Sequence, residues 1–136
     1  MIINLPAKTL DLVNMANKLK EVGVIDGIGM QSHLTVGSPS GQAYATAIEK
    51  FLDTGLEVYI TELDITTNNE KDQASSYKEI FSIALKYANK IPSVTFWGTH
   101  DNTSSKSSQY PLPFGANYTP KQAYYSILTL VHDLWP

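Results

Sequence analysis

Three short stretches hold most of the residues able to do chemistry: Gln31-Ser32-His33, Thr61-Glu62-Leu63-Asp64 and Trp97-Gly98-Thr99-His100-Asp101. Together they supply carboxylates, imidazoles, an amide and an indole. Glu62 closes an otherwise apolar run from Leu56. A carboxylate there must be solvated by a cleft or held by donors, because an unpaired buried charge is costly. His33 and Gln31 are the donors at hand. An indole beside carboxylates suggests a sugar: a pyranose ring offers an apolar face to Trp97 while its hydroxyls need acceptors and donors. Each residue alone has a plainer reading: Glu62 and Asp64 as loop caps, His33 and Trp97 as core side chains. Three such strand ends in succession favour a site, because a rim with no task seldom carries so many desolvated polar groups.

Other candidates are weaker. His100 and Asp101 could ligate a metal, but no third ligand stands at a recognisable spacing, so no metal site and no cofactor are expected. His132 reads as helix-end or surface chemistry. Asn102-Thr103-Ser104 and Asn117-Tyr118-Thr119 match the glycosylation acceptor, which is short enough to occur by chance. Tyr110 and Tyr118 either contact substrate or pin their loop.

The elements that position these residues follow from periodicity. Leu12, Met15, Ala16, Leu19 and Val22 form one helical face, with Gly23 as C-terminal cap. Val24 to Met30 then reads as a buried strand ending near Gln31-Ser32-His33. Ser38-Pro39-Ser40-Gly41 supplies turn and cap chemistry before the stripe Tyr44, Ala47, Ile48, Phe51 and Leu52, closed by Gly55. Leu56 to Ile60 is a second strand, and Tyr77, Ile80, Phe81, Ala84 and Ala88 a third helical stripe. Val94 to Trp97 is a third strand. A Ser-, Asn- and Pro-rich loop runs from Gly98 to Tyr118, and a last helix begins at Thr119-Pro120 with Ala123, Ile127, Leu130, Val131 and Leu134 on its buried face. A helix followed by three strand-helix pairs predicts a parallel α/β sheet covered by helices. In such folds ligands bind at the carboxyl ends of the strands. Alternate strand residues share a face, so Gln31 pairs with His33 and Glu62 with Asp64.

With 136 residues, the chain is one domain or a piece of a larger one. A 43% hydrophobic and 17% charged composition excludes a disordered chain. A net charge of -3 without a basic run argues against nucleic acid as partner. No apolar stretch is long enough to span a bilayer, and no signal peptide is visible at Met1 to Pro6, so neither a membrane partner nor targeting is expected. The absence of cysteine excludes disulfides, thiolate metal sites and Cys nucleophiles.

In order and spacing, Ile25-Asp26-Gly27-Ile28-Gly29-Met30-Gln31-Ser32-His33, Ile60-Thr61-Glu62-Leu63-Asp64 and Phe96-Trp97-Gly98 with Asp101 closely resemble strands six to eight of glycoside hydrolase family 10. These are the retaining endo-1,4-β-xylanases. Pro111-Leu112-Pro113-Phe114 and Pro120-Lys121-Gln122-Ala123-Tyr124 look like the same family's final loop and helix. The resemblance implies a partial (β/α)8 barrel, the last three βα units with a preceding helix, spanning residues 1–136. It makes Glu62 the catalytic nucleophile, with His33 hydrogen-bonding it and Asp64 orienting His33. Gln31 and Trp97 would line the sugar subsite, with xylan or a xylo-oligosaccharide as partner, and secretion is implied. The family's acid/base, a Glu in an Asn-Glu pair ending the fourth strand, has no counterpart: Asn69-Glu70 follows the nucleophile strand and heads a helix. Ser105 stands where the family usually carries a further Trp over the site, and Gly115 where an acidic residue is common. Such a barrel needs about 250 residues, so a truncated xylanase completed by an N-terminal half is expected. The alternative is an inactive sugar-binding or structural half-barrel, completed by a second copy. An unrelated flavodoxin-like domain is disfavoured, since no Gly-rich phosphate loop opens any helix.

Overall fold

The computed structural model describes residues 6–134. Helix α1 (Pro6–Glu21) leads into β1 (Gly27–Met30) and β2 (His33–Thr35), then α2 (Gly41–Leu52), β3 (Glu57–Thr66), α3 (Glu70–Lys86), β4 (Val94–Phe96) and α4 (Gln122–Leu134). Short 3-10 turns, Asp101–Thr103 and Ser107–Gln109, lie in the loop before α4. Every strand pairing is parallel and centres on β3, with β1 and β2 as successive pieces of one neighbour and β4 the other. The expected order of a helix and three strand-helix pairs is therefore present.

The helices start where side chains can satisfy their free N–H groups. Ser40 caps α2 by accepting from Ala43 N–H at 3.3 Å. Asn69 caps α3, its Oδ1 accepting from Lys71 and Asp72 N–H at 2.9 and 3.3 Å. The expected face of α2 is buried in full: Tyr44, Ala47, Ile48, Phe51 and Leu52. With Tyr77, Ile80 and Ala84 of α3 it packs on Met30, Leu34, Val58, Ile60, Leu63 and Ile65. Helices thus cover one sheet face, and the opposite face carries the polar residues.

Several boundaries differ from expectation. On α1 the buried residues are Thr9 and Ala16, with Leu12, Val13 and Leu19 half-buried, whereas Met15 and, just past the helix end, Val22 point outward, 53% and 70% exposed. Ala88 lies beyond the end of α3. The last helix starts at Gln122, two residues after Pro120, because Pro120 is held in a bridge with Phe114 and Lys121 N–H donates to Pro113 O at 2.9 Å.

The largest difference is in β3, which continues six residues past Ile60. Its partners change register there: Met30 faces Ile60 but His33 faces Asp64, and Ile60 faces Val94 but Leu63 faces Phe96. Relative to both neighbours β3 therefore holds one extra residue, between Ile60 and Leu63 against β4 and between Ile60 and Asp64 against β1 and β2, a β-bulge. The core-facing parity switches with it, from Val58 and Ile60 to Leu63 and Ile65. Thr61 and Glu62 consequently turn towards the same open face in succession, and Asp64 follows them. On β1, Gly27 and Gly29 make room on this face: a Cβ there would lie 3.0 Å from the Tyr59 ring and 3.2 Å from Thr61 Cγ2.

Candidate active site

The bulge presents Glu62, and its backbone is tied to the neighbouring strand. Glu62 N–H donates to Gln31 O at 3.0 Å, and Asp64 N–H to Ser32 O at 3.3 Å. Ser32, between β1 and β2, has φ 66°, a left-handed conformation unusual for a residue with a Cβ. Its fully buried hydroxyl meets Tyr44 OH at 2.7 Å, which locks that turn to α2. Burial pushes the Tyr44 phenol up to about 12, against a smaller downward effect of the Ser32 hydroxyl, so it stays protonated as a donor. The strained residue sits directly before His33 and sets the direction in which that side chain leaves the strand.

His33 lies between the two carboxylates. Its Nε2 is 3.0 Å from Glu62 Oε2, and its Nδ1 is 2.8 Å from Asp64 Oδ2. Each ring nitrogen thus has a carboxylate oxygen as its partner, which fixes the plane of the ring. Asp64 is buried, and its second oxygen is taken by Lys106 Nζ at 3.1 Å. Glu62, His33, Asp64 and Lys106 thus form one hydrogen-bonded row in which acidic and basic side chains alternate. Glu62 remains 21% exposed, so one end of the row is open to a ligand. Trp97, which follows β4 and is half-exposed, turns its ring edge-on to His33 with centroids 6.3 Å apart. Its backbone N–H donates to Leu63 O at 3.1 Å, which places it beside the bulge. Gln31 is half-buried in the turn between β1 and β2, where its carbonyl accepts from Glu62 N–H. The structure thus brings His33, Glu62, Asp64 and Trp97 to one mouth of the sheet, with Gln31 adjoining them through its backbone.

The remaining candidates have other work. Asp101 accepts from Leu112 N–H at 2.8 Å and pairs with buried Lys121 Nζ at 3.1 Å. His100 packs its ring edge against Tyr118, with centroids 4.1 Å apart. Among the described residues no group of three or more His, Cys, Asp or Glu could hold a metal ion. His132 is exposed beside Asp133. Asn69-Glu70 is the cap and first turn of α3. Tyr110 pins its loop through its backbone: its carbonyl accepts from Gln73 Nε2 at 2.6 Å and Lys121 Nζ at 2.8 Å. Ser105 is exposed, and Gly115 has only ordinary contacts where a Cβ would stand.

Sequence reasoning missed Lys106, Lys121 and Gln73. No periodic pattern marks them, because each acts across the fold on a residue 8 to 42 positions away. Only the density of polar residues in the loop hinted that something there needed satisfying.

Comparison with known proteins adds an independent finding. Residues 1–130 match the family model described as Glycosyl hydrolase family 10. Over 93% of its length the chain is 56% identical to the bifunctional endo-1,4-β-xylanase XylA of Ruminococcus flavefaciens, of which it covers 13%. A thermostable mutant of a xylanase from Cellvibrio japonicus superposes with a TM-score of 0.89 at 28% identity, covering 96% of this chain and 47% of that one. The CBM22 and GH10 modules of a Clostridium thermocellum endo-1,4-β-xylanase, solved with xylohexaose, superpose with a TM-score of 0.85 at 32% identity. They cover 90% of this chain, and 27% of theirs is matched. The chain therefore spans less than half of each of these proteins.

Proposed function

The chain belongs to glycosyl hydrolase family 10, its fold is part of that family's (β/α)8 barrel, and from this premise we propose that it is the C-terminal part of a retaining endo-1,4-β-xylanase and supplies the nucleophile, Glu62. The observation that carries the reading is the accessible Glu62 carboxylate, held by His33, which is itself held by Asp64. That arrangement holds a carboxylate aimed into the open face, as attack on an anomeric carbon requires. Glu62 forms a bond to that carbon while the bond to the leaving oxygen breaks, giving a covalent glycosyl-enzyme that water then hydrolyses. His33 aligns Glu62, Asp64 aligns His33, and Gln31 and Trp97 receive the sugar.

Retention needs a second carboxyl about 5 Å from the nucleophile, first as acid and then as base. Asp64 does not fit that task, because both its oxygens are engaged and it is 1% exposed. Asp101 is likewise committed to Lys121. The acid/base is proposed to lie outside these 136 residues, on the N-terminal part of the barrel. An upstream sequence containing an Asn-Glu pair at a strand end supports this, and a reading frame with no barrel upstream sinks it.

The test uses the full-length protein. A slow-turnover xylobioside with an activated leaving group is expected to add one glycosyl unit to the peptide containing Glu62, detected by mass spectrometry. Glu62→Gln should abolish that adduct and lower xylan hydrolysis by roughly 10³-fold or more with the fold intact. Labelling at another residue, or activity surviving within about tenfold, would refute the assignment.

A second reading has one observation in its favour. Beside β4 an apolar groove of about 650 Å³, lined by residues including Phe96, Phe114, Tyr124 and Leu128, is open. An inactive sugar-binding half-barrel that covers this face with a second copy would sediment as a dimer. A soluble monomer of the 136-residue chain would count against that.

A further inference from the structure

We propose that Lys106 is a positioning residue for the nucleophile, acting through Asp64 and His33 as the fourth member of the charged row. The inference rests on Glu62 as nucleophile but goes beyond it, since it assigns a role to a loop residue 42 positions away from Asp64. Asp64 is 1% exposed, and a carboxylate so deeply buried needs a partner of opposite charge. Lys106 Nζ at 3.1 Å from Oδ1 supplies the missing positive charge, and it also fixes the carboxylate's rotation. With Oδ1 held by Lys106, Oδ2 is the oxygen left to face His33 Nδ1 at 2.8 Å. A carboxylate free to rotate would let the imidazole swing and carry the Nε2 contact away from Glu62.

The loop is built to hold Lys106 in place. Its N–H donates to Oγ of buried Ser104 at 3.0 Å, and its carbonyl accepts from Gln109 N–H at 2.8 Å. Beyond these, the Asp101 carboxylate clamps Leu112 N–H and Lys121, which closes the loop on itself. The side chain is 33% exposed, so the ammonium keeps some hydration while its partner has almost none. That asymmetry is unlike a surface ion pair, in which both groups are solvated and little is gained.

The test compares wild type, Lys106→Met and Lys106→Arg in the full-length protein, with two readouts. In protein labelled with ¹⁵N-histidine, the His33 Nδ1–H resonance should be sharp and slow to exchange in wild type and Lys106→Arg, and lost or broadened in Lys106→Met. Against xylan, Lys106→Met should lower kcat by about 10- to 100-fold with KM nearly unchanged, and Lys106→Arg should restore most of it. An unaltered resonance with kcat within about twofold in Lys106→Met overturns the proposal, as does an Arg variant no better than Met. If the resonance responds as expected but wild type cleaves no xylan, the positioning role stands and the xylanase reading fails.

Discussion

Replacing Lys121 by Met should destabilise the protein far more than an average substitution, and the structure allows the size to be worked out. Lys121 is 6% exposed, and its ammonium donates to Asp101 Oδ2 at 3.1 Å and to the carbonyls of Tyr110 and Leu112 at 2.8 Å each. Met keeps most of the apolar stem and removes every one of these bonds. Asp101, 3% exposed, would keep only the Leu112 N–H. Breaking a buried pair from one side costs about 3–5 kcal/mol, because a charge stays behind without its partner. The Leu112 carbonyl also loses its donor, at about 1–3 kcal/mol, whereas that of Tyr110 keeps Gln73 Nε2. The two estimates describe overlapping losses, so about 4 kcal/mol is expected and not their sum. Urea unfolding of the full-length protein reads this as a lower midpoint at constant slope. The double variant Lys121→Met with Asp101→Asn, which removes the stranded charge, should recover part of the loss. A cost below about 1 kcal/mol, or a double variant no more stable than the single one, would refute the view that a buried charge pair closes this loop.

The other predictions concern the site and its supports. On the proposed roles, His33→Ala should lower kcat by about 10²-fold, less than Glu62→Gln, since it would remove the orienting group and leave the proposed nucleophile; equal losses would contradict the division of roles. Trp97→Ala should raise KM for xylo-oligosaccharides by about tenfold, equivalent to about 1.4 kcal/mol of lost ring contact, and an unchanged KM would remove Trp97 from the sugar site. Tyr44 makes stability fall in alkali: its folded-state value of about 12 lies above the unfolded value of about 10, so its contribution is complete below pH 10 and disappears as pH rises through 12. The loss is of order 3 kcal/mol, and Tyr44→Phe should flatten the dependence; an equally steep fall in the variant would assign it elsewhere.

What was legible in the sequence is what periodicity controls. The stripe from Tyr44 to Leu52 is buried residue for residue because α2 is pressed against the sheet along its whole face. Helix α1 was read less well, since it turns Met15 and, just past its end, Val22 outward and buries only part of the apolar stripe that hydrophobicity alone assigns to the core. Pro120 satisfied the rule for a first helical position, yet its bridge to Phe114 delays α4 by two residues. The second half of β3 runs past the apolar stretch that ends at Ile60, where Glu62 and Asp64 read as the end of the strand. This segment is held extended because His33 and Lys106 meet Asp64 and the carbonyls of Pro111 and Gln109 accept from Ile65 and Thr67 N–H.

The bulge explains why the motif around Glu62 was recognisable while its mechanics were not. A regular strand would place Thr61 and Glu62 on opposite faces, and with Ile60 in the core Glu62 would point among the helices, where a carboxylate has no partner. One extra residue in β3 reverses that outcome. Its cost in local pairing is offset by Leu63 and Ile65, which return to the core on the new parity. The reversal survives only while the far side of the bulge is held, and there Asp64 is the buried residue that most needs partners. Lys106 and His33 therefore act on the position of Glu62 twice, by charge and by anchoring the strand segment whose parity aims it. It follows that substitutions at Asp64 should change backbone register as well as catalysis. Asp64→Asn, which preserves shape, should be folded but slow, whereas Asp64→Leu should lose the slow amide exchange of Leu63 to Thr66. Equal protection of those amides in both variants would show that the bulge is held by the apolar side alone.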